Sequence, residues 1–308
     1  TAIGALTTKA IEGYAAQEQL VGGVETLFKT SSDTVVGYAN DAYKTAGMSA
    51  NEYMETVTSF SASLLASMNN DTAAAAEKAN VAITDMSDNA NKMGTDISLI
   101  QNAYNGFAKQ NYTMLDNLKL GYGGTKEEMQ RLLDDASKLS GIKYDISSYS
   151  DVVDAIHVVQ TEMGITGTTA KEASTTIEGS VSSMSSAWDN WVAGMADSEA
   201  NFSQLTSNLV DSIVTVVGNI APRVIETVPR LVSGLGEIVE QLATYIPQVI
   251  QELLPPLMSG VQDLLNTLVG MLPEMISIIG QIIPTIIDTL LTILPQLLEA
   301  GVQIITEL

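Results

Sequence analysis

The segment from residue 282 to residue 305, IIPTIIDTLLTILPQLLEAGVQII, limits the fold more than any other. It carries two acidic side chains, Asp288 and Glu299, and no basic one, in a run dominated by Ile and Leu. Such a surface leaves water only by packing on itself, on copies or in lipid. The whole region from about residue 205 has this character, with Gly and Pro as punctuation and Arg230 as the last basic residue. Pro273, Pro284 and Pro295 stand eleven residues apart, and acidic residues keep a similar rhythm: Glu252, Asp263 and Glu274, then Asp288 and Glu299. Eleven helical residues turn through about 1100°, about 20° past three whole turns. These five carboxylates are therefore expected to form one slowly drifting stripe, facing a lumen or solvent, on an otherwise apolar surface.

Pro removes a rung of the helix ladder and biases the residue before it toward extended backbone. Gly270 and Gly280 precede the next Pro by three and four residues, a stop followed by a new start. The spacing thus favours short helices of about two to three turns over one kinked rod. A lipid-surrounded span needs about 20 mostly apolar residues, whereas the longest run without a charge, Met275 to Ile287, has thirteen. Each carboxylate at the bilayer centre costs about 2.5–3.5 kcal/mol, which disfavours an independent span. A cluster of helices could turn the stripe to a wet lumen and the rest to lipid. A soluble bundle could equally turn the stripe outward and pack the apolar faces. The pattern fits a self-packed state and a later encounter with a membrane.

Upstream, two further regions differ in composition. Residues 1–163 read as a series of amphipathic helices. Ser49 with Glu52 and Thr125 with Glu128 have capping-box spacing, and Gly141 stands where a glycine ends the second of those helices. Ser150 is placed to cap a helix whose Val152, Ile156, Val159 and Met163 share a face. Residues 164–204 are rich in Ser, Thr and Gly and read as a linker followed by a Trp-containing helix. Thr169 with Glu172 is another capping-box pattern, and Met184, Trp188, Trp191 and Met195 fall on one face. Trp188 and Trp191 are candidates for helix packing or for a membrane-interface belt. The expected class is all-α, with amphipathic helices followed by an apolar helical repeat region at 205–308, elongated or oligomeric.

Charge and composition narrow the chemistry. A formal charge of −22 opposes a phosphate-tracking groove, which needs clustered Lys and Arg, so no specific nucleic-acid binding is expected. The chain has no cysteine, hence no disulfide frame and no thiolate metal site. GYGGTK at 121–126 lacks the Gly-Lys-Ser/Thr order of a phosphate loop and reads as a turn into a helix. His157 is the single histidine and has no second His for a zinc pair. The acidic pairs Asp134/Asp135 and Asp151/Asp154 are explained by helix-end electrostatics. No catalytic residue, metal or cofactor is expected. Thr1 is not a natural start, and the final GVQIITEL stops inside an apolar pattern, so the chain reads as a piece of a longer one.

Three blocks carry a resemblance: YANDAYKTAGMSANEYMETVTSFSASLL (38–65), ITDMSDNANKMGTDISLIQNAYNGFAKQNYTMLDNLKLGYGGTKEEMQRLLDDA (83–136) and GTTAKEASTTIEGSVSSMSSAWDNWVAGMAD (167–197). They resemble the tail tape measure proteins of siphophages and prophages of Gram-positive bacteria, and the Pro-punctuated apolar tail is similar to theirs. The resemblance implies a multi-copy occupant of the tail tube lumen that sets tail length as part of a longer chain. It implies contact with tail tube and tail-tip proteins. It also implies release at infection, when the apolar segment helps DNA pass the host cell membrane. The alternative on the residues alone is a secreted helical pore former unrelated to phage. As one continuous helix the chain would span about 460 Å, so the ruler function belongs to the full protein.

Overall fold

A computed structural model describes the backbone of residues 2–245, 258–274, 276–277, 279–281 and 284, and their side chains except at 2, 3 and 239–245. Among these residues every regular element is helical, and the chain is all-α. It divides into two units, Thr1–Glu226 and Thr227–Leu308. The helices are α1 (Ala2–Phe28), α2 (Ser32–Thr45), α3 (Ala50–Ser67), α4 (Thr72–Met93), α5 (Ile97–Phe107), α6 (Lys126–Ser140), α7 (Tyr149–Glu162), α8 (Thr168–Thr175), α9 (Ile177–Gly194) and α10 (Phe202–Tyr245).

The core of the first unit is built on α3 and α4. Tyr53, Met54, Val57, Phe60 and Leu64 form a buried helical stripe on α3. In the first half of α4 the buried face is Ala75, Ala76, Ala79 and Ala82, whose small side chains let neighbouring helices approach closely. Phe28, Ile100, Phe107, Leu118, Met129 and Ile156 complete the same cluster from other elements.

Helix ends show how local sequence is used. Ser49 and Glu52 form the reciprocal capping box. Thr125 accepts from the Glu128 N–H, but the Glu128 carboxylate turns to the Gly123 N–H at 2.9 Å and to Arg131 instead of closing a box. Gly141 ends α6 at φ 74°. The cap of α7 is Ser148, not Ser150: the Ser148 side chain accepts from the Asp151 N–H, while Ser150 lies inside the helix and gives its N–H to Ser67 Oγ. Val152, Ile156 and Val159 are buried, but Met163 follows the end of α7 and is exposed.

The expected box at Thr169 and Glu172 does not form. The helix α8 starts at Gly167 without a side-chain cap of its own. Its first N–H groups are satisfied by Asp88 of α4, which accepts from Gly167 at 2.6 Å and from Thr169 at 2.8 Å. Residues 164–204 are thus no free linker: α8 packs on α4, and α9 packs on α1. The first unit continues into α10 as far as Glu226, beyond the composition change near 205. Leu209 and Val216 of α10 are buried, and Leu209 joins Tyr43 and Ala187 in a small cluster of its own.

The prolines do not cut the described apolar helices into pieces of two to three turns. α10 runs for 44 residues through Pro222 and Pro229, and residues 258–274 are helical through Pro273. Each proline withholds one ladder hydrogen bond, from the carbonyls of Gly218, Ile225 and Val269 by position. The other rungs are enough to continue the helix. Pro295 and most of the eleven-residue repeat lie outside the described residues.

Candidate membrane-interacting surface

On α10 the covered side is marked by Leu205, Asn208, Leu209, Ser212, Thr215, Val216, Asn219 and Ile220, all buried or half-buried. Four of those eight are polar. The Asn219 side-chain amide donates to the carbonyl of Thr176 at 3.0 Å and of Ser174 at 3.4 Å, at the join of α8 and α9. Val210, Ile213, Val214 and Val217 face out instead. On the neighbouring α9, Ser180, Ser183 and Ser186 are buried along with Ala187, Val192 and Ala193, whereas Ile177, Val181 and Trp188 are exposed.

Past Ile220 the apolar surface of α10 loses its cover altogether. Val224, Ile225, Val228, Leu231, Val232, Leu235 and Ile238 are all exposed, Ile225 at 72 %. The stretch Met258–Gln281 shows the same surface through Leu264, Leu265, Leu268, Val269 and Leu272, among others. Phe202–Ile238 and Met258–Gln281 are long and apolar enough to cross a bilayer by length and composition, each with mean hydropathy 1.2. The core helix of a soluble protein passes the same test of length and composition while mostly buried. Here 17 % of the first apolar window and none of the second is covered by protein.

Of the five acidic stripe residues, Asp263 and Glu274 are described. Both are helical and exposed, and their spacing of eleven puts them on one side of the helix, about 20° apart. Glu252, Asp288 and Glu299 lie outside the described residues. The two tryptophans take different places. Trp191 is half-buried at the α9–α10 corner, where its Nε1–H donates to Thr206 Oγ1 at 3.0 Å and its ring stacks on Phe202 at 5.5 Å. Trp188 leans on Trp191 at 5.3 Å with 43 % of its surface exposed.

The residues weighed for catalysis serve the packing of the first unit. His157 Nδ1 lies 2.9 Å from Asp85, a carboxylate with 1 % exposure. That hydrogen bond raises the pKa of His157, while burial raises that of Asp85 against the opposing pull of the imidazole. Gln160 donates to the Asp85 carbonyl and accepts from Asn89, so α4 and α7 are joined by a buried polar ladder. Asp154 pairs with Lys78. Asp151 closes the start of α7, accepting from the Asp145 N–H at 2.8 Å, and Asp135 pairs with Lys138 at 2.8 Å. The GYGGTK turn needs its glycine at 124, since a Cβ there would stand 2.3 Å from the Thr113 carbonyl oxygen. Sequence reasoning missed the Asp88 cap and the Asp85–His157 pair, because each joins residues more than seventy positions apart. Comparison with protein-family models, with curated proteins and with solved structures gives no match.

Proposed function

We propose that this chain is part of a tail tape measure protein. Several copies fill the tail tube, contribute to its length as part of a longer chain, and leave at infection to help DNA across the host cell membrane. The observation that carries the reading is a combination on one chain. Blocks resembling that family occupy a packed helical unit, and beyond them stand helices whose apolar side chains have no protein cover. Such helices need copies, a tube wall or lipid. The acidic balance of the chain, −22, suits a component that must not hold the DNA passing it.

The test has two arms. The chain added to dye-loaded lipid vesicles is expected to release dye, and Ile225→Asp with Leu231→Asp is expected to abolish most of the release, since each new carboxylate costs about 2.5–3.5 kcal/mol in the bilayer. Labelled antibody against residues 1–226 is expected to mark disrupted phage tails but not intact ones. Absence of dye release overturns the membrane role. Dye release by a protein never found in tails favours the secreted pore former instead.

A further inference from the structure

The outward face of α10 is apolar in a fixed order. Val210, Val214, Val217 and Ala221 step by four, three and four residues, and all are exposed. Val224, Val228, Leu231, Leu235 and Ile238 carry the alternation on without a break, each more than half exposed. The stripe runs for four heptads, with Val214, Ala221, Val228 and Leu235 at a and the others at d, the length over which such a pattern marks a coiled coil. A straight helix drifts by about 20° per heptad against a seven-residue repeat. A neighbouring helix that supercoils with it keeps the stripe covered along its whole length, whereas lipid or a smooth wall imposes no such period.

Charge argues against a lone span. Between Ile220 and Ile238 the charged side chains of α10 are Arg223, Glu226, Arg230 and Glu237, and every one falls at c or f, on the far side from the stripe. Arg223 and Glu226 pair there at 3.5 Å. Lipid all round would take in all four charges, which a bilayer resists. A partner on the stripe alone leaves all four wet. Pro222 and Pro229 stand at b, clear of the stripe as well.

The flanks name the partner. Ile225 and Val232 at e are large and exposed at 72 % and 66 %, whereas Thr227 and Gly234 at g are small. In parallel helices the e position of one lies against the g position of the next, while antiparallel helices set e against e and g against g. Large against small is therefore met by a parallel copy of α10 itself. Val at both a and d, with apolar side chains at e, widens the stripe beyond a two-helix seam. We infer that α10 joins three or more copies of this chain as a parallel coiled coil through the stripe at 210–238. The assembly needs neither a tail nor a membrane, so it stands or falls apart from the tape measure reading.

The full chain in buffer without lipid or detergent is expected to sediment at three or more times the mass of one chain. Leu231→Glu is expected to weaken association by about a hundredfold or more, because it puts a charge inside the seam. Ser233→Glu adds the same charge two residues on, at the exposed f position, and is expected to change association by less than about twofold. The chain has no cysteine, so a single introduced one reports on contacts between copies. Val228→Cys is expected to cross-link copies through a short bismaleimide, and Ser233→Cys is expected to stay single. Circular dichroism checks that each variant keeps its helices. Association that Leu231→Glu leaves intact, or cross-linking at Ser233 as ready as at Val228, overturns the inference. So does a chain that stays single at every concentration, and vesicle binding by that single chain would assign the stripe to lipid.

Discussion

The cap of α8 offers a sharp test of how the first unit is held together, because sequence and structure assign it to different residues. Asp88 is fully buried and accepts two backbone N–H groups at 2.6 and 2.8 Å. Hydrogen bonds to a charged acceptor are worth about 1.5–3 kcal/mol each, and a carboxylate at a helix N-terminus adds about 0.3–1 kcal/mol. Asp88→Asn keeps one acceptor oxygen, sets an amide N–H against a backbone donor and removes the charge. The expected loss is about 2–4 kcal/mol, or about 5–15 °C in the melting temperature for a unit of this size. Thr169→Ala removes a hydroxyl that has no partner and is expected to cost less than about 0.5 kcal/mol. Thermal unfolding by circular dichroism measures both, and amide hydrogen exchange along α8 shows where protection is lost. If Thr169→Ala is the costly change and Asp88→Asn is silent, α8 is capped locally by Thr169 and not by Asp88.

Three further outcomes follow from the same geometry. His157 has its folded-state pKa raised by Asp85, so its stabilisation is complete below the unfolded value of about 6.5 and fades as pH rises through the folded value. The urea midpoint should therefore fall over that window in the wild type and stay flatter in His157→Gln; matching slopes would dispose of the pair as a pH-dependent stabiliser. Ser148→Ala should cost about 1 kcal/mol as a lost cap and speed exchange of the Asp151 amide, while Ser150→Ala should leave that amide protected. Gly124→Ala places a Cβ 2.3 Å from a backbone oxygen of Thr113, which cannot rotate away as a side chain would. A loss of about 3 kcal/mol or more is expected in denaturant titration.

What the sequence made legible was local. The helical class, the Ser49 box, the glycine stop at 141 and the turn into α6 all depend on residues within a few positions of each other. Where several hydroxyls crowd together, the pattern is degenerate: in SSYS at 147–150 any of three serines satisfies the capping rule, and tertiary packing against Ser67 placed Ser150 inside the helix. The cap of α8 was illegible for a different reason. Its acceptor lies 79 residues upstream of Gly167, so the Thr169 pattern was the only signal in reach and it pointed to a hydroxyl that makes no bond. The prolines misled because a rule about lost hydrogen bonds is a rule about cost, and a 44-residue helix absorbs two such losses.

The mixed faces of α9 and α10 bear on function more than any single residue does. On α9 the buried positions are Ser180, Ser183 and Ser186 together with Ala187, Val192, Ala193 and Gly194, and on α10 Asn208, Ser212, Thr215 and Asn219 recur at spacings of four, three and four beside Leu205, Leu209, Val216 and Ile220 on the covered side. In water this arrangement leaves Val181, Val210, Ile213, Val214 and Val217 wet, an unfavourable outcome of about 25 cal/mol for each Å². In a bilayer or a packed multi-copy assembly the same arrangement is favourable: small and polar groups hold helices together, and branched apolar groups meet the apolar surroundings. Asn219 on the Thr176 carbonyl is a bond of that kind. Exposed apolar side chains occur on α9 too, at Val181 and Trp188, ahead of the change of composition near 205. Apolar contact therefore need not be confined to the greasy tail. Asn219→Leu would separate the two settings: it should loosen the first unit in water, by removing the bond to Thr176, while leaving vesicle binding by the outward valines intact. Loss of vesicle binding together with the fold would mean that the outward face has no affinity of its own.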